Sequence, residues 1–231
     1  MNYLEVFERT EVKYILDKST YKILFNKIKN HLKKDKYYES HICNIYFDTD
    51  NYDLIVNSIN KPIYKEKVRL RSYQVPTLTD NVYLEVKKKY KNIVSKRRIE
   101  LKLKDFYDYY NNHIIPNYVN KQIMNELDYT FNYYKLKPKL YLYYDRHSYY
   151  DKDNINFRIT FDENIRSMED DLQLEDGSKG IDYFKDKTYI MELKTLNALP
   201  IWMVRALNDL KIYPQSFSKY GSIYTRKVIG D

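Results

Sequence analysis

Between residues 62 and 104 the chain alternates apolar and charged positions. In "YKEKVRLRSY", Lys65, Lys67, Arg69 and Arg71 share one parity, while Val68 and Leu70 share the other. A period of two belongs to a strand, whose successive side chains face opposite ways. The pattern predicts strands at about 62–73, 80–90 and 92–104, with links short enough for an antiparallel meander. The same period predicts strands over "FERTEVKYIL" and "HICNIYFDT", then at about 137–150 and 155–165, and over "TYIMELKT". A helical period appears elsewhere. Leu24, Ile28 and Leu32 follow a capping "DKS" and predict a helix from about 18 to 34. Further helices are predicted over "NYDLIVNSI", at about 105–112, at about 118–134 from Val119, Ile123, Leu127 and Phe131, and over "LPIWMVRALNDLKI", opened by Pro200. The sum is an α+β chain with about eight strands, a number that suits a closed barrel.

The polar parity is ionic in strand after strand. Arg9, Glu11 and Lys13 share a face near the start. So do Glu85, Lys87 and Lys89; Lys96, Arg98, Glu100 and Lys102; Arg158, Thr160 and Asp162; and Glu192 with Lys194. Two architectures satisfy this pattern. An open antiparallel sheet would turn its ionic face to water. A closed sheet covered outside by helices would turn it inward, as the wall of a tunnel. Periodicity alone leaves both standing. Arginine at several of these positions suits bidentate phosphate recognition. Carboxylates two residues before a lysine, in Glu11–Lys13, Glu85–Lys87 and Glu192–Lys194, add the hard oxygens that a divalent cation prefers.

Composition narrows the classes. The 231 residues carry a formal charge of +8, which points to an anionic partner: nucleic acid, a phosphate-rich ligand or an acidic membrane. The 28 tyrosines, with many Lys, Asn and Ile, also fit an AT-rich genome. One cysteine, Cys43 in an apolar run, excludes an internal disulfide and reads as core. No apolar run reaches the roughly 20 residues of a membrane helix, and no signal peptide is evident, so a cytoplasmic location is expected. Four glycines and six prolines leave no flexible linker, and a single domain over 1–231 is expected. There is no Walker or Rossmann glycine loop, and the scattered His31, His41, His113 and His147 do not form a zinc site. Trp202 and the tyrosines Tyr141, Tyr143, Tyr144 and Tyr149 read as core packed under helices.

Nine short pieces then fall in a recognisable order: "RTEVKY", "IYFDT", "VRLRSY", "LEVK", "SKRR", "YDRHSY", "FRITFD", "YIMELK" and "YPQSFSKYG". Together they span nearly the whole chain. The sequence resembles the catalytic domain of the vacuolar transporter chaperone (VTC) polyphosphate polymerases, within the triphosphate tunnel metalloenzyme superfamily.

The resemblance implies an eight-stranded antiparallel closed β-tunnel with helices packed on the outside. It implies an enzyme that moves the γ-phosphoryl group of ATP onto a growing polyphosphate chain, assisted by Mn²⁺ or Mg²⁺, with pyrophosphate or polyphosphate as acceptor. By motif position, Lys13, Arg69, Arg71, Lys87, Lys96, Arg146 and Arg158 bind phosphate, and alternation adds Arg98 and Lys194 to the same faces. Glu192 matches the metal-binding glutamate. Lys219 matches a tunnel lysine needed for polymerisation, with Arg69 and Arg71 beside it in the catalytic set. Ser218 reads as serving the turn, and Glu11 and Glu85 as ion-pair partners of neighbouring cations. Hydrolase and cyclase relatives begin Glu-x-Glu-x-Lys, whereas this chain has Arg9-x-Glu11-x-Lys13. A cation in place of the first carboxylate fits a polymerase better than a triphosphatase. A metal-dependent inorganic triphosphatase and a non-catalytic polyphosphate- or nucleic-acid-binding module are the alternatives. The expected form is a free-standing bacterial-type catalytic domain, with any membrane-protein partner unreadable from sequence.

Overall fold

A computed structural model describes residues 10–91, 93–196 and 198–230. Among them are nine strands and six α-helices. The strands are β1 (Thr10–Asp17), β2 (Leu32–Asp48), β3 (Tyr64–Ser72), β4 (Asn81–Tyr90), β5 (Ile93–Lys102), β6 (Lys137–Asp151), β7 (Asn154–Met168), β8 (Ile181–Asp182) and β9 (Thr188–Thr195). The helices are α1 (Lys18–Ile28), α2 (Asp53–Ile59), α3 (Leu103–Asn112), α4 (Lys121–Tyr134), α5 (Ile201–Asp209) and α6 (Lys219–Ile229). Eight strands follow one hydrogen-bonded path, β1-β9-β7-β6-β2-β3-β4-β5, and the two-residue β8 pairs with β7.

The α+β class and the large antiparallel sheet are as expected. The expected closure is not made by hydrogen bonds: among the described residues β1 and β5 are the two ends of the path, with no ladder between them. Alternation fixes which residues share a face, and it carries no information about whether two edges meet.

The chain gathers into two compact units. The first holds the described residues of Met1–Ser40, Asp145–Ile165 and Phe184–Phe217; the second holds those of His41–Tyr144, Arg166–Tyr183 and Ser218–Asp231. The boundary falls within β2, β6 and β7.

In the first unit, Tyr14 and Leu16 of β1, Phe157, Ile159 and Phe161 of β7 and Met191 and Leu193 of β9 form one apolar face. Helices α1 and α5 cover it with Leu24, Ile28, Met203 and Leu207. In the second unit, Val68 and Leu70 of β3, Val82, Leu84 and Val86 of β4 and Ile99 and Leu101 of β5 do the same under Phe106 and Tyr109 of α3 and Met124, Leu127 and Phe131 of α4. Each such side chain, once buried, is worth about 1.5–3 kcal/mol of transfer free energy. Helices α1 and α5 in the first unit and α3 and α4 in the second therefore take the apolar face, and the ionic parity is left on the other. Cys43 is buried in the second core, as its apolar run suggests.

Two local expectations are corrected and one helix is added. The first helix stops at Ile28, and β2 already begins at Leu32. "LKKDKYY" is charged on both parities, so it carries no strand signature of its own. Helix α6 had no clear apolar period, and Ser218 opens it: its Oγ accepts from the Gly221 N–H at 3.2 Å. Tyr144 is buried but belongs to the ionic parity of β6, where its hydroxyl accepts from Arg71 at 3.4 Å.

Candidate functional site

The ionic faces of the two units have different charge arrangements. In the second unit, register across β3, β4 and β5 lays the charges out in rows. Arg69 stands opposite Glu85, which stands opposite Arg98. Two residues along, Lys67, Lys87 and Lys96 form a row without a carboxylate, and beyond it Lys65 faces Lys89. Two residues the other way, Arg71 faces Tyr83. From Arg71 to Lys65 the rows extend roughly 20 Å at the usual rise of a strand.

Glu85 is the hub of this face, 1 % exposed. Arg69 donates to its Oε2 from Nε and Nη2, both at 2.7 Å; Lys96 approaches Oε1 to 2.6 Å and Arg98 to 3.8 Å. Burial would raise the Glu85 pKa, but the attraction of Arg69, Arg71 and Lys96 outweighs it and holds the group at about 2. Lys96 is pushed down by burial and by the like charges of Arg69 and Arg71, against the pull of Glu85.

Strand β2 supplies a second set of partners that the motif comparison passed over. Asn44 pairs in register with Arg71, and Tyr46 with Arg69. Arg71 Nε donates to Asn44 Oδ1 at 2.9 Å, and the Asn44 amide donates onward to the Leu142 carbonyl at 3.1 Å. Arg69 Nη1 donates to the Tyr46 hydroxyl at 3.3 Å. Burial would raise the phenol pKa; Arg69 and Arg71 reverse that and lower it to about 8. The signal was present in "CNIYFD", where Asn44, Tyr46 and Asp48 share one parity and Cys43, Ile45 and Phe47 the other.

Lys219 is the first residue of α6, and its Nζ lies 4.4 Å from the centroid of the Tyr144 ring. Its position is set from two sides. Ser218 caps the helix and accepts from Lys67 Nζ at 2.9 Å, while Tyr220 donates to buried Asp48 at 3.0 Å. Asp48 also accepts from the Leu54 and Ile55 N–H groups at the start of α2. The "FDT" and "SFSKYG" motifs thus meet in a positioning network beside Lys67, from which Lys219 reaches the ring of Tyr144, a partner of Arg71.

Among the described residues of the first unit, Lys13, Arg146, Arg158 and Lys194 of the ionic face each have a carboxylate within 4 Å. Lys13 lies 3.1 Å from Glu11, Lys194 lies 2.6 Å from Glu192, and Arg146 grips Asp162 through Nε at 2.6 Å and Nη2 at 2.8 Å. Arg158 lies 3.8 Å from Asp35. Register sets Lys13 opposite Glu192 and Glu11 opposite Lys194, a checkerboard. Burial would raise the Glu192 pKa, but Lys194, Arg146 and Lys13 hold it at about 2. Arg9 lies outside the described residues.

The expected phosphate ligands therefore divide. The structure brings Arg69, Arg71, Lys87, Lys96, Arg98 and Lys219 into the second unit, and Lys13, Arg146, Arg158, Lys194 and Glu192 into the first. Glu11 and Glu85 both pair with cations.

A divalent ion can be tested against these residues. Among the described residues no group of three His, Cys, Asp or Glu side chains forms a protein-only cage. Glu192 is ionised and 6 % exposed, and its cross-strand neighbour Thr160 has a buried hydroxyl without a hydrogen-bond partner. One carboxylate beside an orphaned hydroxyl fits an ion that takes its remaining ligands from phosphate and water, the usual habit of Mg²⁺.

The VTC domain family profile matches residues 8–226, across both units. The chain belongs to the VTC domain family. Among solved structures, the VTC domain resembles a Bacillus halodurans protein provisionally described as an adenylate cyclase, at 15 % identity and a TM-score of 0.56, over 90 % of this chain and 92 % of the other. It also resembles the PH1819 protein of Pyrococcus horikoshii, at 12 % identity and a TM-score of 0.51, over 96 % and 99 %. At such identities the likeness is one of fold. No curated protein sequence matches the chain. Among the described residues no helix is long and apolar enough to cross a membrane.

Proposed function

We propose that this VTC domain is a polyphosphate polymerase that transfers the γ-phosphoryl group of ATP to a growing inorganic polyphosphate chain. The observation that supports it most is the second unit's ladder of cations. Like charges directly opposite one another destabilise a sheet, yet Lys67, Lys87 and Lys96 form such a row and Lys65 with Lys89 another. A linear polyanion laid along them would relieve that repulsion at every row. The rows exceed the span of a single phosphoryl group several times over, which favours a chain over a lone phosphate.

In the transfer, a terminal oxygen of the acceptor chain attacks the γ-phosphorus. The bond from that phosphorus to the bridging oxygen breaks, and ADP leaves with the electron pair. Such a step asks for positioning and charge neutralisation more than for covalent chemistry. Arg69 and Arg71 present planar, doubly donating groups to phosphate oxygens, pre-aligned by Glu85, Tyr46 and Asn44. Lys219 supplies a mobile point charge on their side of the face, suited to holding the acceptor terminus. Lys87, Lys96 and Arg98 continue the track, and Lys13, Arg146, Arg158 and Lys194 are assigned to phosphate in the first unit. A bound Mn²⁺ or Mg²⁺ would neutralise phosphate oxygens, held by Glu192 with Thr160 beside it.

The same proposal takes the 231 residues as one functional domain, working where ATP is available in the cytoplasm. Arg9 in place of a first glutamate supports the polymerase over the triphosphatase. Incubation with ATP and Mn²⁺ decides among the classes. Polymer together with ADP supports the proposal. Orthophosphate without polymer identifies a triphosphatase, and salt-sensitive binding without turnover identifies a binding module.

A further inference from the structure

We propose that the β4–β5 end of the second unit docks onto an anionic membrane surface. At that end Ile63, Tyr90, Ile93 and Val94 are 65 %, 52 %, 72 % and 50 % exposed. Tyr90 and Ile93 share one parity and Ile63 and Val94 the other, so apolar side chains crown both faces of this end. Tyr90 pairs in register with Ile93, Lys89 pairs with Val94, and the Lys91 N–H donates to the Ile63 carbonyl at 2.7 Å. Tyr64, itself 41 % exposed, pairs with Tyr90 from the other side.

The rim of the patch is basic. Lys61 and Lys91 stand beside the apolar side chains, and Lys65 and Lys89 lie one step behind. Among the described residues no carboxylate pairs with any of these lysines. Glu66 is close in sequence, but it is buried and engaged by Lys88 and the Tyr64 hydroxyl. Lys65 is pushed down by burial and then by Lys89, Lys87 and Lys61, so the lysines sense one another rather than an acid.

The chemistry selects the occupant. Aliphatic side chains at a hairpin end gain nothing from a phosphate chain, and a nucleic acid would find only Tyr64 and Tyr90 to stack on. A second copy of the patch would set lysine against lysine across a two-fold axis. A bilayer with anionic headgroups satisfies both parts: the apolar side chains enter the headgroup boundary, Tyr64 and Tyr90 sit at the interface, and the lysines meet negative charge. This inference does not depend on the polymerase assignment.

Vesicle flotation of the full chain tests it, with phosphatidylcholine vesicles and with vesicles that also contain phosphatidylglycerol. The protein should float with the anionic vesicles only. Lys61→Asn with Lys91→Asn keeps residues that tolerate the left-handed backbone at both positions and should weaken binding roughly 25-fold, about fivefold per lysine. Ile63→Thr with Ile93→Thr leaves every charge in place and should weaken it at least about tenfold through lost apolar burial. Unchanged binding in the isoleucine pair would reduce the effect to charge alone and overturn the proposal. So would failure of the wild-type chain to float, or concentration-dependent dimerisation that the same substitutions abolish.

Discussion

The two ionic faces differ in whether they are satisfied without a ligand. In the first unit Lys13, Arg146, Arg158 and Lys194 each stand within 4 Å of a carboxylate on the same face. In the second, one buried carboxylate, Glu85, serves Arg69, Lys96 and Arg98, and the rows beyond it are built of lysines. A balanced face keeps its geometry when empty and can exchange an internal partner for a metal or a phosphate. A face with lysines in register opposite one another has repulsion that an added polyanion would relieve. Composition could not have separated them, because both strands sets are rich in Lys and Arg; the separation appears only when register assigns each charge its neighbour.

The largest expected effect removes the balanced face's buried carboxylate. Glu192→Gln keeps the shape, deletes the charge beside Thr160 and leaves Lys13, Lys194 and Arg146 in excess. Metal-dependent turnover should fall by at least about 100-fold, the usual cost of losing one preorganised electrostatic group. Tripolyphosphate binding, measured by calorimetry, should persist or tighten, since the first face would then be short of acid as the second is. Normal turnover in this variant would remove Glu192 from the metal site.

Next is Glu85→Gln. Breaking a buried ion pair costs about 3–5 kcal/mol, and the partial exposure of Arg69 and Lys96 places this one near the lower end. The melting temperature of the metal-free, phosphate-free protein should drop. Tripolyphosphate should recover more of it in the variant than it adds to the wild type, because the ligand takes over the role of the missing carboxylate. Equal shifts in both proteins would show that Glu85 and the phosphates do not share cations. Lys219→Ala should have a smaller and more selective effect: polymer yield reduced about tenfold, with nucleotide affinity at Arg69 and Arg71 nearly unchanged. Loss of ATP binding in parallel with polymer would place Lys219 on the nucleotide instead of the acceptor.

Much of this was legible in the sequence, and the limits have physical causes. Strict alternation in "VRLRSY", "YLEVK" and "FRITFD" fixed both strand type and face, because one parity is apolar enough to be buried whatever surrounds it. The first half of β2 escaped because its charges occupy both parities, and α6 because "KYGSIYTRKVI" mixes a glycine with β-branched residues that weaken a helical period. Motif comparison found the cations and the carboxylates beside them, and missed their uncharged partners. Asn44, Tyr46 and Tyr144 touch Arg69 or Arg71 from β2 and β6, far away in sequence, so only pairing between strands reveals them. The charge balance of each face was likewise hidden: Glu85 and Glu192 sit in the same local pattern, two residues before a lysine, yet one serves several cations of its face and the other belongs to a checkerboard.

The finest distinction between the faces is their response to pH. Tyr46 lies 7 % exposed beside Arg69, with a pKa of about 8 where an unfolded tyrosine titrates near 10. The folded second unit therefore releases this proton first, and the unfolded chain binds more protons between those two values. Stability must then rise with pH through that window, reach its full gain above 10, and lose the gain as pH falls through 8. The increment between pH 7 and pH 9 should be about 1 kcal/mol, and Tyr46→Phe should abolish it. A bound phosphate chain competes with the phenolate for Arg69 and Arg71, so tripolyphosphate affinity should fall above pH 8 in the wild type and fall less in Tyr46→Phe. Glu192, held near 2, is ionised throughout this range and adds no slope of its own. If urea unfolding midpoints of wild type and Tyr46→Phe keep a constant difference from pH 7 to pH 9, the phenol is not the acceptor that shields the arginines of the empty face.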